Sequence, residues 1–195
     1  YDFHNLYKEL LNFCTVDLSA FYFDIRKDCL YCDPKNSKKR ASVIFTLKII
    51  LDALLKWFAP ILSFTTEEIY QLIFNDNKSI HLKNFLTIPE NFKNEKLNSK
   101  WNDLINIRNI CNISIEEKRA SKEIGSSLEA ELQIKLNSKF KKIVKDISLS
   151  ELCITSKAEI NFHDQNNVIV ETQKALGKKC SVCWKISPNP CERHS

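Results

Sequence analysis

The sequence predicts a mostly α chain: a helical bundle, then a small α/β unit, then a short cysteine-rich knuckle at the C-terminal end. Three observations carry that expectation. Apolar residues recur at steps of three and four through roughly the first 120 positions, the spacing of helices with one buried face. The period falls to two over residues 131–136, as in a strand covered on one side. Finally, Cys180, Cys183, Cys191 and His194 close the chain as two pairs with the same two-residue gap.

The elements follow in order. Phe3, Leu6, Leu10 and Phe13 predict a first helix, and Phe21, Tyr22 and Ile25 a second over residues 16–27. Residues 27–38 read as a connection, because Pro34, Asn36 and Ser37 favour turns. The Cys29–Cys32 pair within it has no second ligand pair at ribbon spacing, and its flanks, Leu30 and Tyr31, suit a buried edge. Ile44, Leu47, Leu51, Leu54 and Phe58 define the clearest helix, residues 38–58, ended by Pro60. Thr65 and Glu68 have capping-box spacing before a helix whose apolar side is Ile69, Leu72 and Ile73. A polar surface connection is expected over 75–99. Leu97, Trp101, Leu104, Cys111 and Ile115 predict a long helix over 97–121, broken by Gly125, Ser126 and Ser127. Beyond the strand, residues 138–147 return to helix, and β-like runs follow at 152–155, 158–162 and 168–172. Trp57 and Trp101 belong on core-facing stripes, and His4 is expected buried and hydrogen-bonded. The expected domains are 1–122 for the bundle, 123–176 for the α/β unit and 177–195 for the tail.

The composition, 44% hydrophobic and 27% charged, is that of a soluble globular protein. No apolar run approaches the length of a membrane span, and no signal peptide opens the chain. The sequence begins at Tyr1 and lacks methionine, so a piece of a longer protein is expected. Eight cysteines scattered through helical patterns fit a reducing cytoplasm better than a disulfide scaffold. A net charge of +5 permits an RNA partner without requiring one.

The tail carries the sharpest chemistry. A CxxC turn brings two sulfurs close enough to share a cation, and Cys191 and His194 supply a second turn of the same span. Four soft or borderline ligands in paired turns suit one tetrahedral zinc ion. Thiolates must lose their protons to bind, so metal uptake would be coupled to folding of the tail. A redox CxxC normally opens a helix behind a strand; Pro188, Pro190 and the second ligand pair point away from that reading. A free-standing zinc-ribbon module that binds another protein, with the helices as scaffold, is the alternative of a different kind.

Two groups of residues are candidates for RNA contact. Lys38, Lys39 and Arg40 cluster at a helix start, where the dipole favours negative charge. An external anion would relieve that mismatch, although a solvated face serves equally well. Lys178, Lys179, Lys185 and Arg193 surround the knuckle together with Trp184. Because Trp184 follows a ligand, metal binding would limit its ring to stacking on an unpaired base or covering the metal. Glu67 and Glu68 need no acid–base role, and no catalytic residue is expected.

Several stretches then resemble a known family. Tyr1-Asp2-Phe3-His4 and Phe21-Tyr22-Phe23-Asp24-Ile25-Arg26-Lys27-Asp28 resemble the anticodon-binding helical domain of class I aminoacyl-tRNA synthetases. The run from Trp57 through Ala59-Pro60-Ile61-Leu62-Ser63-Phe64-Thr65-Thr66 to Glu68 is similar to that domain's most recognisable stretch. Ile124-Gly125-Ser126-Ser127-Leu128-Glu129-Ala130, after a helix bearing Arg108, resembles the junction of the bacterial isoleucyl-tRNA synthetase branch. Gly177-Lys178-Lys179-Cys180-Ser181-Val182-Cys183-Trp184 is similar to the start of that branch's zinc module. The zinc module departs from the family in its short loop, and in His194 standing where a last cysteine is usual.

The resemblance implies an N-terminally incomplete anticodon-binding bundle, tRNA as the partner and one structural zinc ion. It also implies a cytoplasmic monomer in which missing N-terminal catalytic and editing domains complete an ATP-dependent isoleucine–tRNA ligase. ATP would be bound only by that catalytic domain, whose two signature motifs are absent from these residues.

Overall fold

The computed structural model describes residues 2–194, and the chain divides into two compact units, Tyr1–Phe92 and Lys93–Ser195. The mostly α expectation holds, at 56% helix. No helix among the described residues is long and apolar enough to cross a membrane.

In the first unit, α1 (Phe3–Asn12) starts at Asp2, whose carboxylate accepts from the Asn5 N–H. It runs without a break through a π-helical stretch, Phe13–Phe23, into α2 (Asp24–Cys32). The expected gap between two helices is absent, because the backbone at both junctions keeps right-handed helical angles. The expected 27–38 connection shrinks to 33–37. There Ser37 caps α3 (Lys38–Phe58) by accepting from the Arg40 N–H at 3.3 Å. Cys29 is buried, but Tyr31 is 85% exposed, so the flank is not a buried edge. His4 is exposed rather than buried. Both Trp57 and Trp101 are half-buried.

The fourth helix, α4 (Ser63–Phe74), corrects two expectations. No Thr65–Glu68 capping box forms: Leu62 occupies the N-cap without a side-chain bond. The buried face carries Thr66 and Tyr70, while Leu72 and Ile73 are exposed. Thr66 can be buried because its hydroxyl donates to the Leu62 carbonyl at 2.9 Å, leaving no unpaired polar group. Tyr70 packs with Leu55, Ala59 and Ile80, and its hydroxyl donates to Asp76 at 3.1 Å. Glu67, one turn earlier, accepts from the Ser79 hydroxyl and the Ile80 N–H, so Ile80 is pinned into the core.

Asp76 is the polar hub of this corner. It accepts from Lys83, from the Lys78 N–H and from Tyr70, and these bonds, led by Lys83, pull its pKa down to about 2. A carboxyl with a depressed folded-state pKa stabilises the fold above its unfolded value and loses that contribution as pH falls through the folded one. We therefore expect the acid limb of thermal unfolding to steepen between pH ~4 and ~2. Asp76→Asn should flatten that limb while lowering the melting temperature at neutral pH. An unchanged acid limb in the variant would show that Asp76 is not the responsible group.

The second unit opens with α5 (Glu95–Ala120), capped by Asn94 accepting from the Leu97 N–H. Its face of Leu104, Ile107, Cys111 and Ile115 is buried. Thus the long helix, which the sequence places with the 1–122 bundle, groups with the sheet that follows it. That sheet has the order β2-β1-β3, from β1 (Ala130–Asn137), β2 (Lys157–His163) and β3 (Ile169–Lys174). β2 is parallel and β3 antiparallel to β1, with Ile134 opposite both Ile160 and Val170. Leu132, Ile134 and Leu136 alternate into the core, while Glu131 and Lys135 pair outward with Lys157 and Glu171.

A parallel pair needs a crossover, and residues 138–156 supply it. The expected helix over 138–147 is one 3₁₀ turn followed by α6 (Lys141–Val144). The expected β-run over 152–155 is instead the end of α7 (Leu149–Leu152) and a turn with Ile154 at φ 57°. Arg108 of α5 holds this turn: its Nε donates to the Leu152 carbonyl at 2.9 Å. Cys111 and Cys153 are both buried here, and their mutual hydrogen bond together with burial drives the Cys111 thiol pKa up. Such a thiol stays protonated and packs as a small apolar group.

Candidate metal centre

The tail reaches its site through Gly177, whose φ of 127° belongs to the region that favours glycine. A Cβ there would stand 2.1 Å from the Ser187 carbonyl oxygen, so a bare backbone is required. Two short strands, β4 (Lys178–Lys179) and β5 (Ile186–Ser187), then pair antiparallel around the first cysteine turn. The Cys180 N–H donates to the Lys185 carbonyl at 2.9 Å, and the Trp184 N–H donates to the Cys180 carbonyl at 3.1 Å. Ser156 anchors this hairpin to the sheet. Its hydroxyl accepts from the Ile186 N–H at 2.6 Å and donates to the Leu128 carbonyl.

Between these turns the four expected ligands converge. The Cys180, Cys183 and Cys191 sulfurs and a His194 ring nitrogen all lie within 4.8 Å of one another. Cys183 is buried and the other three are half-buried. The Cys183–Cys191 sulfurs are 3.8 Å apart, too far for a disulfide. His194 Nδ1 lies 3.5 Å from the Cys180 sulfur and 3.3 Å from the Cys191 sulfur. A tetrahedral ion with bonds of about 2.3 Å to sulfur and about 2.0 Å to nitrogen sets these edges at about 3.8 and about 3.5 Å. These three edges match a tetrahedral ion, and all four ligand atoms lie close enough to share one.

The backbone also prepares the first sulfur. The Cys183 and Val182 N–H groups point at the Cys180 sulfur, the latter at 3.5 Å. Those two donors, with His194 behind them, bring the Cys180 pKa down to about 6 despite partial burial. The thiolate, the form that binds metal, is thus favoured at neutral pH. The Cys29–Cys32 pair lies on the last turn of α2 and belongs to no such cluster of three or more ligands among the described residues.

Around the centre, Trp184 is 59% exposed and holds a φ of 64°, unusual for a side chain of its bulk. Lys179 Nζ stands 5.6 Å from its ring centroid. Lys178 and Arg193 are exposed, while Lys185 is half-buried. In the first unit, Lys38 and Lys39 are exposed at the start of α3. Arg40 is half-buried, with Nε donating to the Leu30 carbonyl at 3.0 Å; this bond ties α3 to α2. Sequence reasoning missed Gly177 and Ser156 as builders of the site. A glycine before a ligand turn was a usable signal for the first, whereas Ser156 lies too far from the tail to offer one.

Comparison with known proteins identifies the family. Residues 1–135 match the family model described as the anticodon-binding domain of tRNA ligase. The chain is 64% identical over 195 residues to the isoleucine–tRNA ligase of Pelagibacter ubique, covering all of this chain and 22% of that protein. It is 40% identical to the isoleucine–tRNA ligase of Bradyrhizobium diazoefficiens and 37% identical to that of Bartonella henselae, covering 96% of this chain and 20% of each protein. The chain thus spans about a fifth of the length of these relatives.

Proposed function

The chain belongs to the anticodon-binding domain family of tRNA ligases, and from that premise we propose that it recognises the anticodon stem-loop of an isoleucine tRNA. The whole protein would join isoleucine to that tRNA with ATP, in the cytoplasm and as a monomer. Amino-acid activation would fall to catalytic and editing domains outside these 195 residues. Within them, the helices of the first unit would hold the stem, while the second unit and its tail would supply the surface that meets unpaired bases.

One observation carries this reading: Trp184, next in sequence to a ligand of the Cys180–Cys183–Cys191–His194 cluster, is 59% exposed with Lys179 near its ring. RNA specificity comes mostly from unpaired bases that stack on aromatic rings and are read at their edges, and the anticodon loop supplies such bases. Phosphate contacts set register without reading sequence. A zinc ion held by the four ligands would serve structurally, locking both turns together. Trp184 would then offer one ring face to a base while Lys179 sits near the ring and favours the adjoining phosphate. The exposure of Trp184 supports stacking over a role as a cover for the metal. Lys178, Lys179, Lys185 and Arg193 near the knuckle, and Lys38, Lys39 and Arg40 on α3, would hold phosphates. The rival reading, a protein-binding zinc ribbon, would use the same Trp184–Lys179 pair as an interface anchor, and binding that falls with salt on an RNA stem-loop separates the two.

Base stacking on an aromatic contributes about 1–3 kcal/mol per base. Trp184→Ala should therefore weaken binding to an isoleucine anticodon stem-loop by roughly ten-fold or more, with metal content unchanged. Equal affinity in wild type and variant would remove the stacking role. No salt-dependent binding by the wild type would remove the RNA reading itself.

A further inference from the structure

The crossover between β1 and β2 carries a lysine cluster apart from the knuckle. Lys139, Lys141, Lys142 and Lys145 are all exposed. None of them makes an ion pair among the described residues. On the same unit, Lys118, Lys135 and Lys157 each face a carboxylate. Four neighbouring charges left unneutralised repel one another and cost the folded state some stability. Such an arrangement suits an external polyanion.

The lysines also have a shaped setting. Lys141, Lys142 and Lys145 line an open groove of about 650 Å³ together with Ile147, Ile160 and Phe162. Phe162 is 40% exposed on the edge strand β2, with Lys141 Nζ 6.0 Å from its ring centroid. Just before these lysines in the chain, Lys139 Nζ stands 5.0 Å from the Phe140 ring. The neighbouring loop is fixed by buried Asn137, which donates to the Asp164 and Gln165 carbonyls and accepts from the Lys139 N–H at 2.9 Å. The nearby carboxylate Asp164 accepts from Ser138. A mostly apolar groove rimmed by lysines, with an aromatic in its lining, can follow a nucleic-acid backbone and stack a base.

We infer that this groove is a second RNA-binding surface, in which Lys141, Lys142 and Lys145 hold backbone phosphates and Phe162 takes an unpaired base. The inference rests on the reading of the chain as a tRNA-binding protein and adds a site built from residues 141–162, ahead of the knuckle in the chain. An anionic membrane offers the same charge, but α6 has four residues and presents no amphipathic face to insert, and a headgroup surface offers Phe162 no base to stack on. An acidic peptide would neutralise the lysines yet gives the half-exposed ring no flat partner.

The test compares five forms of the intact protein: wild type, K141A/K142A/K145A, the matching triple arginine variant, Phe162→Ala and Trp184→Ala. Binding of an isoleucine tRNA transcript is followed across a salt series. Poly-glutamate and phosphatidylserine vesicles are the control probes, and Trp184→Ala reports on the knuckle. Each phosphate contact contributes about 0.7–0.9 to the slope of log affinity against log salt, so the alanine triple should lower that slope by about 2. Arginine should restore the slope. Phe162→Ala should weaken binding by roughly ten-fold at any salt. An alanine triple with wild-type slope and affinity, alongside a weakened Trp184→Ala, overturns the groove and leaves the knuckle reading intact. Lysine-dependent binding to poly-glutamate or vesicles without any effect on tRNA also overturns it. A wild type that ignores tRNA sinks both readings together.

Discussion

Cys183→Ser is expected to abolish metal binding and unfold the tail while the first unit stays folded. Cys183 is the buried member of the cluster, and its sulfur lies 3.8 Å from that of Cys191. A serine oxygen is shorter-reaching and a poor soft donor, so one corner of the tetrahedron would be lost. Structural zinc contributes on the order of 10–16 kcal/mol to the folding of small zinc modules near neutral pH. The tail has little else to hold it: two strands of two residues, one Ser156 anchor and a few turn hydrogen bonds. Elemental analysis should give about one zinc per wild-type chain and almost none in the variant. Trp184 is the tryptophan nearest the site, so its emission should report the loosened turn. Affinity for the stem-loop should fall at least as far as in Trp184→Ala, since the platform loses its footing. A variant that keeps a full equivalent of zinc, or a wild type that takes up none, would end the metal reading.

The tail was the most legible part of the sequence, and the reason is local. All four ligands fall within fifteen consecutive residues, so spacing alone nearly determines who can meet. Similarly, α3 and α5 were legible because each keeps a helical period over twenty residues or more. The alternation in β1 was legible because one of its faces is wholly buried. The failures share a different cause. On α4 the buried residues are Thr66 and Tyr70 rather than Leu72 and Ile73. Both carry hydroxyls whose partners, the Leu62 carbonyl and Asp76, are supplied by backbone direction and by a later loop. A hydrophobicity pattern cannot see those partners. The same applies to the turn after α7, which Arg108 holds from 44 residues away, and to Ser156 under the knuckle. Hydrogen bonds, some local and some from distant elements, decided these positions, and no hydrophobic period encodes them.

Gly177→Ala should weaken the metal centre, less than the ligand variant does, without touching a ligand. An added Cβ would lie 2.1 Å from the Ser187 oxygen and 2.5 Å from the Pro188 nitrogen, both of them backbone. No side-chain rotation can relieve such a contact, so β5 or the chain at 177 has to move. A φ of 127° is strained for any L side chain, which adds to the cost. Displacing β5 would pull Ile186 from Ser156 and Lys185 from Cys180, the two bonds that register the first turn against the second. The four ligands would remain present in sequence but no longer preassembled. The expected result is zinc bound more weakly by on the order of 10–100-fold, the range seen when residues that orient metal ligands are lost. Competition with a graded series of chelators would measure the shift. Wild-type zinc affinity in Gly177→Ala would show that the two cysteine turns find each other without the strand pair. In that case the ion, rather than the hairpin, organises the tail.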